Sequence, residues 1–169
     1  MATVATLVLG IDGSSALNGN SDGVSSMADR EQFLIRRRAS DCLIIGGNTA
    51  RSDRYRQTPV PLVILSRSRP DLIAINPQAH WWKLSPAHAL VRARAEFGEK
   101  ILIEAGVSII TELLALGLVD QLELSITPAS RGEKKIDAKE LLQHFRNIQT
   151  TQVGDTTFHS CSELITSPR

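Results

Sequence analysis

Three short segments carry the residue types that bind charged ligands. They are Gly46-Gly47-Asn48-Thr49, Ser66-Arg67-Ser68-Arg69 and Glu104-Ala105-Gly106-Val107-Ser108, and each follows an apolar run. The first and third are small-residue turns leading into helical patterns. Where side chains are missing, a phosphate can approach the backbone N–H groups at a helix N-terminus, whose dipole also favours an anion. The second offers Arg67 and Arg69, whose planar guanidinium groups can pair with a phosphate in a bidentate way. Singly, a Gly-Gly turn or an arginine pair in a loop is ordinary. Recurring at three successive strand ends, where open α/β sheets bind ligands, they suit the phosphate chain of a dinucleotide plus an extra ribose 2′-phosphate. That combination favours NADPH over NADH. The candidate cofactor residues are Gly46, Gly47, Thr49, Ser66, Arg67, Ala105, Gly106, Val107 and Ser108. The spacing matches neither G-x-G-x-x-G nor the P-loop.

Other chemistries find little support. The four histidines, His80, His88, His144 and His159, have no metal-ligand spacing, and Cys42 and Cys161 form no C-x-x-C pair. Both cysteines lie in apolar runs and read as core thiols. Lys plus Arg number 19 and Asp plus Glu 18, a net charge of +1, so no basic footprint marks a nucleic acid or an anionic membrane as partner. No apolar run approaches the length of a membrane span, and the first apolar run lacks a basic flank and a cleavage site. The expectation is a cytoplasmic protein. Its 169 residues suit one domain over 1–169 with a sizeable core.

The elements that must position the three segments follow from periodicity and turn chemistry. Residues 3–11 are apolar and β-branched, a buried strand. Residues 12–26 are rich in Gly, Ser and Asn and read as a long loop. Ser26 with Asp29 three residues on predicts a helix start, and that helix runs to about Ala39. Strands are expected at 42–45, 61–65 and 100–103, with a short one at 72–75. A short helix follows Thr49 to about Arg54, and Trp81-Trp82 reads as local packing over an edge. Ser85-Pro86 opens a helix ending before Gly98, and another runs from Gly106 to Gly117. Residues 119–127 alternate as a strand, 131–139 are charged and loop-like, and 147–153 with 156–164 form a hairpin across Gly154-Asp155. Strands alternating with helices imply an α/β fold with a mostly parallel sheet and an antiparallel hairpin at one edge.

Four stretches bear a family resemblance. Gly10-Ile11-Asp12-Gly13 is similar to S-x-D-G, and Asp41-Cys42-Leu43-Ile44-Ile45-Gly46-Gly47-Asn48-Thr49 to D-A-I-L-V-G-x-x-T. Pro61-Leu62-Val63-Ile64-Leu65-Ser66-Arg67 is the third. Most specific is Ile101-Leu102-Ile103-Glu104-Ala105-Gly106, followed by Leu118-Val119-Asp120-Gln121-Leu122 and Pro128, which resembles L-x-E-G-G … G-L-V-D-E-L … P. Over nearly the whole length the chain resembles the reductase domain of riboflavin biosynthesis, which has a dihydrofolate-reductase-like fold. The resemblance implies an NADPH-dependent reductase that converts the ribose of a phosphoribosylaminopyrimidine to a ribityl chain, and a homodimer with the late strands near the interface. Position by position, it puts Thr49, Asp53 and the segment from Gly106 onward on the cofactor. Ser21, Arg37 and Glu104 fall on the substrate, with Asp53 and Glu104 as the catalytic candidates. Arg37 on its helix can hold a phosphate, Glu104 at its strand end can accept hydrogen bonds from an aminopyrimidine or from hydroxyls, and Asp53 can orient the nicotinamide or relay a proton.

The chain departs from that pattern on the substrate side. The lysine after D-G is Ser14, the tryptophan of S-x-W is Gly23, and the arginine that ends D-x-P-x-L-T-x-R is Val60. The family's Gly-Gly pair also leads us to expect a cis bond between Ala105 and Gly106. Two alternatives stay open: a dihydrofolate or pteridine reductase, and a degenerate nucleotide-binding dimer without turnover. The pteridine activity wants a buried carboxylate on an early helix, whereas Asp29 and Glu31 fall at that helix's polar start.

Overall fold

The computed structural model describes residues 2–165, apart from the side chain of Asp53. In chain order the elements are β1 (Ala2–Gly10), β2 (Ser14–Ala16), α1 (Met27–Arg38), β3 (Cys42–Gly46), β4 (Leu62–Leu65), β5 (Ala79–Trp82) and α2 (Pro86–Phe97). There follow β6 (Lys100–Ile103), α3 (Val107–Ala115), β7 (Gln121–Thr127), β8 (Glu133–Lys135), α4 (Ala138–Leu142), β9 (Phe145–Val153) and β10 (Thr156–Leu164). Eight strands form one sheet in the order β5-β4-β3-β6-β1-β7-β10-β9. The pairs from β5 to β7 are parallel, while β10 is antiparallel to both β7 and β9. The expected α/β architecture with its closing hairpin is the one observed.

Apolar clusters lie on both faces of the sheet. Ala89, Leu90 and Ala93 of α2 and Ile110, Leu113 and Leu114 of α3 pack on Ala5, Leu9, Ile44, Ile101 and Ile103. The opposite face buries Leu43, Ile45, Leu62 and Ile64 under Phe33 of α1, Tyr55 and Leu72. The continuous apolar runs of β3, β4 and β6 exist because helices or loops cover both faces of these strands.

Helix starts follow the expected chemistry. Ser26 Oγ accepts the Asp29 N–H at 3.1 Å, and Ser85 Oγ accepts that of His88 at 3.4 Å. Trp81-Trp82 packs at an edge as expected, within the edge strand β5, where Trp82 is buried and stacks on Phe97. Four expectations need correction. Residues 72–75 lie not in a strand but largely in the 3-10 turn Asp71–Ala74, because Pro70 and Asp71 start a turn whose Ile75 and Asn76 N–H groups bond back to Leu72 O. Past Thr49, two separate 3-10 turns, Thr49–Arg51 and Asp53–Tyr55, replace one short helix. The 12–26 and 131–139 loops contain β2 and β8, which pair with each other, and α4. Finally, the Ala105–Gly106 bond is trans, as are all peptide bonds among the described residues. Gly106 enters α3 at φ −63, ψ 164, an ordinary extended conformation, so the turn needs no cis bond.

Candidate active site

The register of the parallel strands creates a notch. β6 stops at Ile103, beside Ala5 and Ile44. Its neighbours run on, β1 to Gly10 and β3 to Gly46. The residues after β6 therefore sit low between two longer strands, at the carboxyl ends where ligands of open α/β sheets bind.

Glu104 lies at the floor of this notch. Its N–H donates to Ile44 O at 3.0 Å, and the residue is 5% exposed. Arg37, 3% exposed, reaches it from the last turn of α1. Arg37 Nε donates to Glu104 Oε1 at 3.0 Å and to Oε2 at 3.2 Å, and Nη2 donates to Oε2 at 2.8 Å. Arg37 Nη1 donates to Arg54 O at 3.1 Å. The guanidinium carbon lies 4.1 Å from the Phe33 ring centroid and 4.6 Å from that of Tyr55. The Tyr55 phenol is a further electrostatic neighbour of Glu104. Burial raises the Glu104 carboxyl pKa against the opposing pull of Arg37 and Tyr55. Burial works against the charge of Arg37, but Glu104 outweighs it and raises the guanidinium pKa. Burial likewise pushes the Tyr55 phenol well up.

The inward stripe of α1 explains this placement. Asp29, Phe33 and Arg37 are spaced four residues apart and share one face, while Met27, Leu34 and Ile35 are exposed. Asp29 is buried rather than part of a polar helix start, and its Oδ2 accepts from Ser25 Oγ at 2.6 Å. Ser21 belongs to the 3-10 turn Ser21–Gly23, whose Asp22 pairs with Arg54. The three expected substrate residues are thus connected: Ser21 is next to Asp22, Asp22 holds Arg54, and Arg54 O holds Arg37 on Glu104. Sequence reasoning did not show that Arg37 and Glu104 hold each other, and it missed Tyr55. The aromatic residue beside two arginines in Arg54-Tyr55-Arg56 was the only signal for it.

On the other side of β6 lies a more open arrangement. α3 begins at Gly106 with no side-chain cap, unlike α1 and α2. A Cβ built on Gly106 meets nothing within 4 Å. The first N–H groups of a helix lack intrahelical partners, so this end offers donors beside open space. Ala105 is buried beneath it, and Ser108 is exposed. Gly47 has a packing reason of its own, since a Cβ there would lie 2.8 Å from Ser66 Cβ. Beyond it is a groove of about 510 Å³ whose lining includes Gly47, Arg51, Arg56, Ser66, Arg69 and Leu72. Arg67 is exposed and is not part of that lining. Thr49 opens the turn beside the groove. Asp53 opens the next turn, and its side chain lies outside the described part. These residues fit a nicotinamide dinucleotide phosphate: an uncapped helix end for a diphosphate and arginines for a terminal phosphate.

Both cysteines are buried, and burial pushes the Cys42 thiol up to about 12 and that of Cys161 to about 11, which makes them poor nucleophiles. No helix among the described residues is long and apolar enough to cross a membrane.

Known proteins share this architecture. A pyrimidine reductase-like protein from Corynebacterium diphtheriae superposes with a TM-score of 0.73 at 20% identity, covering 98% of this chain and 92% of that one. The diaminohydroxyphosphoribosylaminopyrimidine deaminase/5-amino-6-(5-phosphoribosylamino)uracil reductase of Thermotoga maritima gives 0.71 at 11% identity, covering 95% of this chain and 56% of its own. RibD of Acinetobacter baumannii gives 0.67 at 16%, covering 95% and 57%. The chain thus spans little more than half of each of these two longer proteins. No curated protein matches the sequence. The match that fixes kinship is to the family itself: residues 3–158, from the first strand into the last, align with the RibD C-terminal domain, and the chain belongs to that family of riboflavin-biosynthesis-type reductases.

Proposed function

We propose that this chain is an NADPH-dependent reductase that converts the ribose of a phosphoribosylaminopyrimidine to a ribityl chain. The observation that carries the cofactor side is the uncapped start of α3 at Gly106, with the arginine-lined groove two strands away at the end of β4. When bound, the nicotinamide supplies the hydride. The protein's part is to bind and orient. Gly106, Val107 and Ser108 offer backbone N–H groups to the diphosphate. Arg51, Arg56 and Arg69 surround the place for a 2′-phosphate, with Ser66 and Thr49 beside them. Glu104, fixed by Arg37 and Tyr55, forms a polar floor for the substrate, and Ser21 and Asp53 complete the proposed site. The nine-residue edge strand β9, exposed from 146 to 153, supports the homodimer that the family resemblance implies.

A titration with NADPH and, separately, NADH followed by thermal unfolding tests the cofactor side. A ligand at a hundred times its Kd adds about 2.7 kcal/mol. Stabilisation by NADPH alone is expected, and no response to either cofactor overturns the reading. The buried Asp29 favours one second reading, a pteridine reductase, and dihydrofolate turnover decides it. NADPH binding without turnover of any pyrimidine or pteridine would instead support the non-catalytic paralogue to which Ser14, Gly23 and Val60 point.

A further inference from the structure

A second polar cluster lies over the carboxyl ends of β1 and β7, in a groove of about 630 Å³. Lys135 of β8 reaches into it. Its ammonium bonds to Asp12 Oδ2 and donates to Ser14 Oγ at 2.9 Å. The backbone sets this position. Ser14 and Lys135 are direct partners in the antiparallel β2–β8 pair, and such partners project on the same face. Two glycines permit the close approach. A Cβ on Gly13, whose φ is +85, would lie 2.5 Å from Ile136 O, and one on Gly132 would lie 2.1 Å from Ala16 O.

Asp12 is fully engaged by the protein. Oδ1 accepts from Ser14 N at 3.1 Å and Ser14 Oγ at 2.5 Å, while Oδ2 accepts from Arg131 N at 2.7 Å and from Lys135. The carboxylate therefore serves to hold the ammonium. An ammonium has three N–H groups. Two are used by Asp12 and Ser14, and the side chain is half exposed in the groove that it lines. One donor is left for a ligand.

The rest of the groove indicates which ligand. Its titratable groups are Asp12, Lys135, Asp137 and Lys139, whose charges cancel, and Ile11, Ile126 and Ile136 supply apolar walls. A neutral groove with ammonium donors, a carboxylate and apolar walls suits a hydroxyl-bearing carbon chain better than a phosphate dianion. It also lies at the end of β1, three strands from β4. At about 4.8 Å per strand, that is far enough for an extended ligand to have its phosphates at one site and its reacting end at the other.

We propose that Lys135 is a substrate-binding residue whose free N–H meets an oxygen of the substrate's sugar chain. The identity of that substrate rests on the reductase reading; the donor and its groove rest on geometry alone. Position 14, where the resembled family carries lysine, is serine here, and the strand pair returns an ammonium to that hydroxyl from the opposite strand.

Two variants test this. Lys135→Met keeps the stem and removes the charge, and Ser14→Lys combined with Lys135→Ser moves the ammonium across the strand pair. The readouts are KM and kcat for the ribosylaminopyrimidine phosphate, calorimetric Kd for its ribityl product, and Kd for NADPH. A hydrogen bond from a charged donor justifies an expected loss of about tenfold or more in KM and product Kd for Lys135→Met. The NADPH Kd should stay within about twofold, and the double variant should recover most of the loss. Unchanged KM and product Kd in Lys135→Met overturn the proposal. So does a folded double variant that binds product no better than Lys135→Met. A wild-type protein that binds neither NADPH nor the pyrimidine phosphate overturns the reductase reading itself, and with it the sugar-chain assignment.

Discussion

The two sides of the β6 notch handle charge in opposite ways. Toward α1, Arg37 pairs with Glu104 and Arg54 with Asp22, and each of the three guanidinium nitrogens of Arg37 already donates to a protein acceptor. At the ends of β6, β3 and β4 the arrangement is open: an uncapped helix start, a glycine with open space beside it, and a groove lined in part by Arg51 and Arg69. The difference separates two uses of the same residue types. A charge neutralised inside the protein holds elements in place, whereas a charge with donors to spare takes a ligand.

Removing a buried partner gives the largest expected effect. Arg37→Ala leaves Glu104 buried and unpaired, which costs about 3–5 kcal/mol. Urea unfolding measures it, and a loss below about 1 kcal/mol would break the contrast between the two sides. Replacing both partners with apolar residues, as Arg37→Met with Glu104→Leu, should be less destabilising than Arg37→Ala, because no charge is then left unpaired. NADPH affinity of folded Arg37→Ala should stay within about twofold, as the guanidinium bonds to Glu104 and Arg54 O and does not line the groove.

Gly106→Ala examines the open side with the opposite signature. The backbone conformation suits any residue and the added methyl meets nothing. Losing glycine at an N-cap and restricting the unfolded chain work against each other, each by about 0.5–1 kcal/mol. Stability should hold within about 1 kcal/mol while NADPH binding weakens about tenfold, since the methyl projects where the diphosphate would approach. Equal NADPH affinity in calorimetry would remove the diphosphate from this helix end.

Much of this was legible in the sequence, and the illegible parts share a cause. β3, β4 and β6 are continuous apolar runs, Ser26 and Ser85-Pro86 are local caps, and Gly154, at φ 61, marks the hairpin turn. Each of these signals lies within a few adjacent residues. β2 and β8 are three residues each, too short for a period, and they meet across more than 110 residues of chain. Arg37 and Glu104 are 67 positions apart. Each reads singly as a ligand-binding residue, and only the fold shows that the charge of one is already met by the other. Asp29 differs for a related reason: a carboxylate in a first helical turn is usually solvated, and here it is buried and bonded to the Ser25 hydroxyl.

The arginines after β4 sharpen the contrast further. Arg69 lines the groove and Arg67 does not. Arg69→Ala should therefore lower the preference for NADPH over NADH about tenfold, in line with the loss of one charge-assisted hydrogen bond. Arg67→Ala, which the strand-end pattern alone would have favoured, should change it by less. The reverse ranking in cofactor Kd values would move the 2′-phosphate out of the groove.

The smallest effect is expected at Asp12, whose pair with Lys135 is exposed, unlike that of Arg37 with Glu104. Lys135 first, then Ser14 and the Arg131 N–H, hold its carboxyl well below the usual carboxylate range. A lowered pKa in the folded state means that the unfolded chain binds the proton more readily in the interval between the two values. The stability contributed by Asp12 is therefore complete above its unfolded pKa of about 3.9 and is lost as pH falls from there through the folded value. Asp12→Asn lacks the titrating group. The gap in urea midpoint between wild type and Asp12→Asn should be constant from about pH 7 to about pH 5 and should close only below about pH 3.9. A gap that widens on acidification would mean that the carboxylate is held by something other than the cation and N–H groups around it, and Lys135 would lose its anchor.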